Sequence, residues 1–193
     1  MLPLLNPHEK QILTGNILFI VCCLFYIAWW LLAFKPTGAI TGFKTGWLLI
    51  PAFVTGLLGV IWAIQGIVAK PPGNQLLPGL VILVGGGVFF LILLIVTVWL
   101  FKRQPTTELI LIVGWGIFAL AEVNALFGFG LFSQGRAIGF IAVIGLAVLI
   151  SLVCYVLFFR LDNLAGYIDG MIPLLLAALI MAGISGFMLI PSK

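Results

Sequence analysis

Six apolar runs, at about 11–34, 46–69, 77–101, 107–132, 135–159 and 168–190, each hold the roughly 20 residues that a helix needs to cross the hydrocarbon core of a bilayer. Backbone amides in hydrocarbon have no water to bond, so a spanning segment satisfies them internally, as a helix or within a closed barrel. These runs lack the alternation of a barrel strand, so helices are expected. The predicted fold is all-α: a polytopic membrane protein with six transmembrane helices in one bundle, a single domain over 1–193. An even number of spans places both termini on the same side. Charged residues make up only 7% of the chain, so no polar stretch is long enough to build a soluble catalytic domain.

The fourth run carries an ionisable group near its middle, Glu122. Hydrocarbon does not solvate a carboxylate, so Glu122 must face other helices or a wet cavity, be paired, or hold a proton. At helical spacing it shares a face with Trp115, Phe118, Ala119, Ala125, Leu126 and Phe129, while Asn124 points roughly the opposite way. Sorting polar residues by depth in helices of alternating direction puts Asn16 and Gln65 in the half of the membrane where Glu122 leans. Convergence of Glu122, Asn16 and Gln65 would make a small polar site for a solute or a proton. Phe118, Phe129, Trp115 and Phe53 are the aromatic residues expected to constrict the path. A purely structural role, with Glu122 bonded to a backbone carbonyl or to Tyr26, Thr55, Thr97 or Ser151, is the competing reading. Asn16 and Gln65 also lie close enough to helix ends to be merely interfacial.

Several chemistries are set aside. His8 is the sole histidine and precedes the first span, which excludes bis-histidine haem. Cys22, Cys23 and Cys154 lack C-x-x-C spacing and read as small hydrophobes, so no metal and no cofactor are expected. A serine triad, a metalloprotease motif and a phosphate loop are all missing, so the chain is not expected to be an enzyme. The net charge of +4 is scattered, which argues against nucleic acid as a partner and leaves the lipid bilayer and a small solute. The start, Met-Leu-Pro-Leu-Leu-Asn-Pro-His-Glu-Lys, lacks a cationic n-region, so no removable signal peptide is expected. Basic residues divide four against five between the two sides and set no orientation.

Local punctuation adds detail. Gly85, Gly86 and Gly87 each weaken an isolated helix by about 1 kcal/mol, and a close helix crossing is their expected use. Trp29 and Trp30 suit an interfacial belt, Lys35 to Lys44 a turn, and Arg160 with Asp162 a solvated ion pair. Asn16 to Trp30 and Glu108 to Glu122 open the first and fourth helices with similar spacing, an echo expected of a 3+3 inverted repeat.

Short segments along most of the chain resemble the acetate uptake transporter family, small six-helix acetate/succinate permeases. Asn6-Pro7 resembles its opening signature, and Phe53 with Gly56-Leu57 falls on its Phe-Tyr-Gly-Gly-Leu, followed by Gly73-Asn74. Gly87, Phe89 and Leu91 match its Tyr-Gly-x-Phe-Trp-Leu, Trp115-Gly-Ile-Phe118 its Trp-Gly-Ile-Phe, and Ala165-Gly-Tyr167 the start of its last helix. Glu122 lies outside these motifs. The resemblance implies a six-helix permease, oligomeric, in a prokaryotic plasma membrane. The expected function is a channel or secondary transporter for a small polar solute, a short monocarboxylate under the resemblance, proton-coupled or proton-gated through Glu122. The alternatives are a non-transporting accessory or substrate-binding membrane subunit, or a urea/amide channel. A homo-oligomer is expected, each protomer with its own path.

Overall fold

The computed structural model describes residues 5–35, 45–69, 75–77, 79–100, 102 and 107–190, without the side chains of 79, 80, 83, 107 and 108. The turn at 36–44, the Gly73-Asn74 motif and the side chain of Glu108 therefore lie outside the described residues. Among the described residues every regular element is helical. Five segments are long and apolar enough to cross a membrane, and Val84–Leu100 is a shorter apolar helix within the remaining run. The fold is thus a helical membrane bundle.

Helix α1 (Pro7–Ala33) starts where its sequence signals a start. Asn6 accepts a hydrogen bond from the Glu9 N–H at 2.9 Å, and the Glu9 carboxylate accepts one from the Asn6 N–H at 2.8 Å. Two orphan donors are satisfied reciprocally, while Pro7 occupies the first helical position, where no N–H is needed. The Asn6-Pro7 pair is therefore a helix start. A 3-10 turn at Thr45–Leu48 leads into α2 (Leu49–Val68), with Pro51 in its first turn. Helix α3 (Gly79–Ile95) runs on into a π turn at Val96–Leu100. Helix α4 (Thr107–Gly128) is joined to α5 (Gln134–Leu157) by a tight turn in which Gly130 takes φ +80°, a left-handed conformation suited to glycine. The last run is two helices, α6 (Asn163–Asp169) and α7 (Ile172–Met188), with a break at Gly170 and Met171.

The closest crossing is between α1 and α2. Ala52, Gly56, Gly59, Ala63 and Gly66 line one stripe of α2 at alternating spacings of four and three. A methyl group added to Gly15 would lie 2.6 Å from Ala63 Cβ, and one on Gly66 would lie 2.6 Å from the His8 carbonyl oxygen. Small residues here let the backbones touch, which supplies packing where apolar burial alone gives little in lipid. The glycine triplet of α3 contributes less than expected. Gly86 abuts Ile117 of α4, but Gly85 and Gly87 have open space where a side chain would be.

Helix α1 packs its other side on α7, α4 packs on α5 and α3, and α7 closes against α5. Ile12, Val123, Leu126, Ile144, Met181, Ile184 and Met188 meet at the centre. Because α4 is enclosed on most sides, its residues from Glu122 to Leu126 are all buried. One surface expectation changes. Asp162 accepts from the Ala165 N–H at 2.9 Å and caps α6, and no ion pair with Arg160 forms among the described residues. Trp30 turns toward the last span, its indole N–H donating to the Tyr167 carbonyl at 3.0 Å and its ring lying over Gly170.

A buried carboxyl–amide pair as the candidate functional site

The buried face of α1 repeats at helical spacing through Ile12, Gly15, Asn16 and Cys23. That register carries a single amide, Asn16, into the bundle at the level of Glu122 on α4. Both side chains are 0% exposed. The Asn16 Nδ2 donates to Glu122 Oε1 at 2.5 Å, a short contact that joins two helices 106 residues apart in sequence.

The pair is half satisfied. Asn16 Oδ1 and Glu122 Oε2 take no hydrogen bond among the described residues. A buried polar group left in that condition costs about 1–3 kcal/mol. Both unpartnered atoms are acceptors when the acid is ionised, so the arrangement lacks a donor. One proton on Oε2 supplies it: the acid can then donate while its other oxygen accepts, as a carboxylic acid and an amide do when they pair through two hydrogen bonds. No Lys or Arg forms an ion pair with Glu122 among the described residues, so a proton or an incoming donor is what can neutralise it.

The surrounding aromatics fall into two groups. Phe118, one turn before Glu122 on α4, stacks on Phe19 of α1 at 6.3 Å between ring centres, and Phe129 stacks on His8 at 6.4 Å. Trp115 is half-buried, and its indole N–H has no acceptor among the described residues. Trp115 and Phe118 belong to the face of α4 that carries Glu122, and Phe129 lies one residue past its end. Phe53 belongs to neither place: it is 72% exposed on the outer face of α2. Gln65 is exposed on the same helix, so the third polar member of the expected convergence points away. The cause is the small-residue stripe, which turns Ala52, Gly59, Ala63 and Gly66 inward and so forces 53 and 65 outward.

The alternative partners considered for Glu122 are engaged elsewhere in two cases. Thr55 donates to the Pro51 carbonyl at 2.6 Å and Thr97 to the Leu93 carbonyl at 2.7 Å, both within their own helices. One polar residue was passed over. Asn124 is buried, accepting from the Leu77 N–H at 3.0 Å and donating to the Leu77 carbonyl at 2.7 Å. It ties the segment before α3 to α4. An amide in an apolar span two residues from a buried acid was the available signal.

No protein-family model matches the chain, and neither a curated protein nor a solved structure matches it. The resemblance to the acetate uptake transporters therefore rests on short motifs. In the fold, Gly116 of the Trp-Gly-Ile-Phe segment faces Val148, Ile117 faces Gly86 and Phe118 meets Phe19, so the segment packs α4 against three other helices.

Proposed function

We propose that this chain passes a small polar solute across a membrane, as a channel or secondary transporter, with Glu122 as the proton-carrying group and Asn16 as its fixed partner. One observation carries the reading: a fully buried acid and amide share one hydrogen bond and leave one acceptor oxygen each. Gain or loss of a single proton changes the hydrogen-bond balance of the side-chain contact between α1 and α4, and an element with two balanced states is what a gate requires. Phe118, Phe129 and Trp115 bound the site on the α4 side. Asn16 lies on the first helix and Glu122 on the fourth, which supports reading the bundle as two three-helix halves whose site lies between them. A short monocarboxylate is the solute that the motif resemblance favours, and an oligomer in a prokaryotic plasma membrane is the setting.

Uptake into proteoliposomes tests this. A panel of short carboxylates, urea and small amides is measured with and without an inward proton gradient. At least one solute is expected to show flux that follows the gradient, and Glu122→Gln is expected to remove the pH dependence while the protein remains folded. Unchanged pH dependence in that variant would sink the role of Glu122. Absence of flux for every solute would favour an accessory or binding subunit, with Glu122 a brace between helices.

A further inference from the structure

Three side-chain contacts set the register of α1 against α4. His8 stacks on Phe129 with ring centres 6.4 Å and planes 8° apart, Asn16 donates to Glu122, and Phe19 stacks on Phe118 with ring centres 6.3 Å apart. Numbers rise on α1 as they fall on α4, so the two helices are antiparallel and the polar pair lies between two ring pairs. Their backbones approach less closely than those of α1 and α2, and long side chains fill the seam.

The two covers are unequal. Beyond Phe118, α4 runs back to Thr107, a further 16 Å or so at about 1.5 Å per residue. Beyond Phe129 nothing of α4 remains, because the helix ends at Gly128, and α1 begins one residue before His8. His8 is exposed and Phe129 half-buried, whereas Ile12 and Leu126, the next layer inward, are 0% exposed. The short route from Glu122 to a membrane surface is therefore covered by one ring pair over one aliphatic layer.

Both backbones at this cover are pinned. The Asn6–Glu9 capping box holds the start of α1, and the His8 carbonyl lies against Gly66 of α2. Past the end of α4, Phe129 N–H donates to the Ala125 carbonyl at 2.9 Å and Leu131 N–H to the Leu126 carbonyl at 3.1 Å. What can move is the side chains. They are held by the ring contact and by a 3.4 Å contact of His8 Nδ1 with Gln11 Oε1. A single ring pair is a weak restraint, and side chains at an exposed end rotate fast.

We propose that His8 and Phe129 form a side-chain lid, through which the Asn16–Glu122 pair communicates with the membrane surface where α1 begins and α4 ends. The aliphatic layer beneath excludes water while the lid is shut, and the Phe19–Phe118 stack closes the opposite side. This names the regulation of the same site: what passes the lid rests on the Glu122 reading, and the lid itself does not.

The test is labelling of the purified full chain in detergent with a water-soluble carbodiimide, which adds to a carboxyl group and remains as an N-acylurea, located by peptide mass spectrometry. Exposed Asp162 normalises the reagent, and buried Asp169 reports any loosening of the whole fold. Phe129→Ala is expected to raise Glu122 labelling about tenfold over the parent with Asp169 unchanged. His8→Ala, which removes an exposed ring, is expected to raise it about threefold. Phe118→Ala is expected to leave it within about twofold, because the longer route stays closed. The proposal is overturned if both lid variants label Glu122 at the parental rate, or if Phe118→Ala alone accelerates it. It is also overturned if Asp169 labelling rises with that of Glu122 in both lid variants, since the rings would then be holding the fold. Lid-dependent labelling in a protein that carries no solute would support the lid and remove the transport reading, and flux with lid-independent labelling would do the reverse.

Discussion

Two buried asparagines serve opposite ends in this bundle. Asn124 uses both ends of its amide on one residue, taking the Leu77 N–H and giving to the Leu77 carbonyl. Asn16 uses one end on Glu122 and leaves its oxygen without a donor. The first arrangement is closed: nothing can be added to it without breaking something. The second is open by one donor, so its energy depends on what arrives. A satisfied polar pair fastens two segments, whereas an under-satisfied pair in a low-dielectric interior responds strongly to a proton or a ligand. Burial alone does not make the two amides equivalent. The hydrogen-bond inventory separates them.

Breaking the closed arrangement should have the larger effect. Asn124→Leu leaves the N–H and the carbonyl of Leu77 without their partner and is expected to destabilise the protein by about 3 kcal/mol, read by thermal unfolding in detergent. Breaking the open arrangement should cost less, because it was never complete. Asn16→Leu removes the single hydrogen bond to Glu122 and is expected to cost about 2 kcal/mol. Glu122→Gln, by contrast, brings an N–H to the Asn16 oxygen while keeping an oxygen for the Asn16 N–H. Its stability is expected to match or exceed that of the parent by up to about 1 kcal/mol. A destabilised Glu122→Gln protein would mean that the missing donor is not what governs this crossing.

Much of this architecture is legible from the residues, and the parts that are not have identifiable causes. The helices follow from run length, because a bilayer leaves a long apolar segment few alternatives. Glu122 stands out because any ionisable group at that depth does. Asn124 lies on the side of α4 away from Glu122, as its spacing implies, and that side is buried too. Helix α4 is enclosed on most of its circumference, and no single-helix pattern says which helix will be central. The glycine triplet at 85–87 was the more conspicuous feature, yet the tighter crossing uses Ala52, Gly56, Gly59, Ala63 and Gly66, dispersed at heptad spacing. The break before α7 had its signals in Gly170 and Pro173. Apolar residues continue through it, so hydropathy did not register it.

The smallest expected effect concerns Gln65, which depth alone had placed beside Glu122. Its side chain lies on the exposed face of α2, along with Phe53, Leu57, Leu58, Ile61 and Trp62. Among the described residues, the hydrogen bond between Asn16 and Glu122 involves no group on that face. Gln65→Leu is therefore expected to leave solute flux and its pH dependence at parental values and to shift stability by less than about 0.5 kcal/mol. A loss of flux would return Gln65 to the solute path and require α2 to rotate away from the glycine stripe that packs it on α1. A loss of stability that deepens on dilution would have a different meaning: the outer face of α2 would be the contact between protomers. Measuring flux and concentration-dependent unfolding on the same variant separates these two results, and unchanged values in both would confine the polar path to the Asn16–Glu122 side of the bundle.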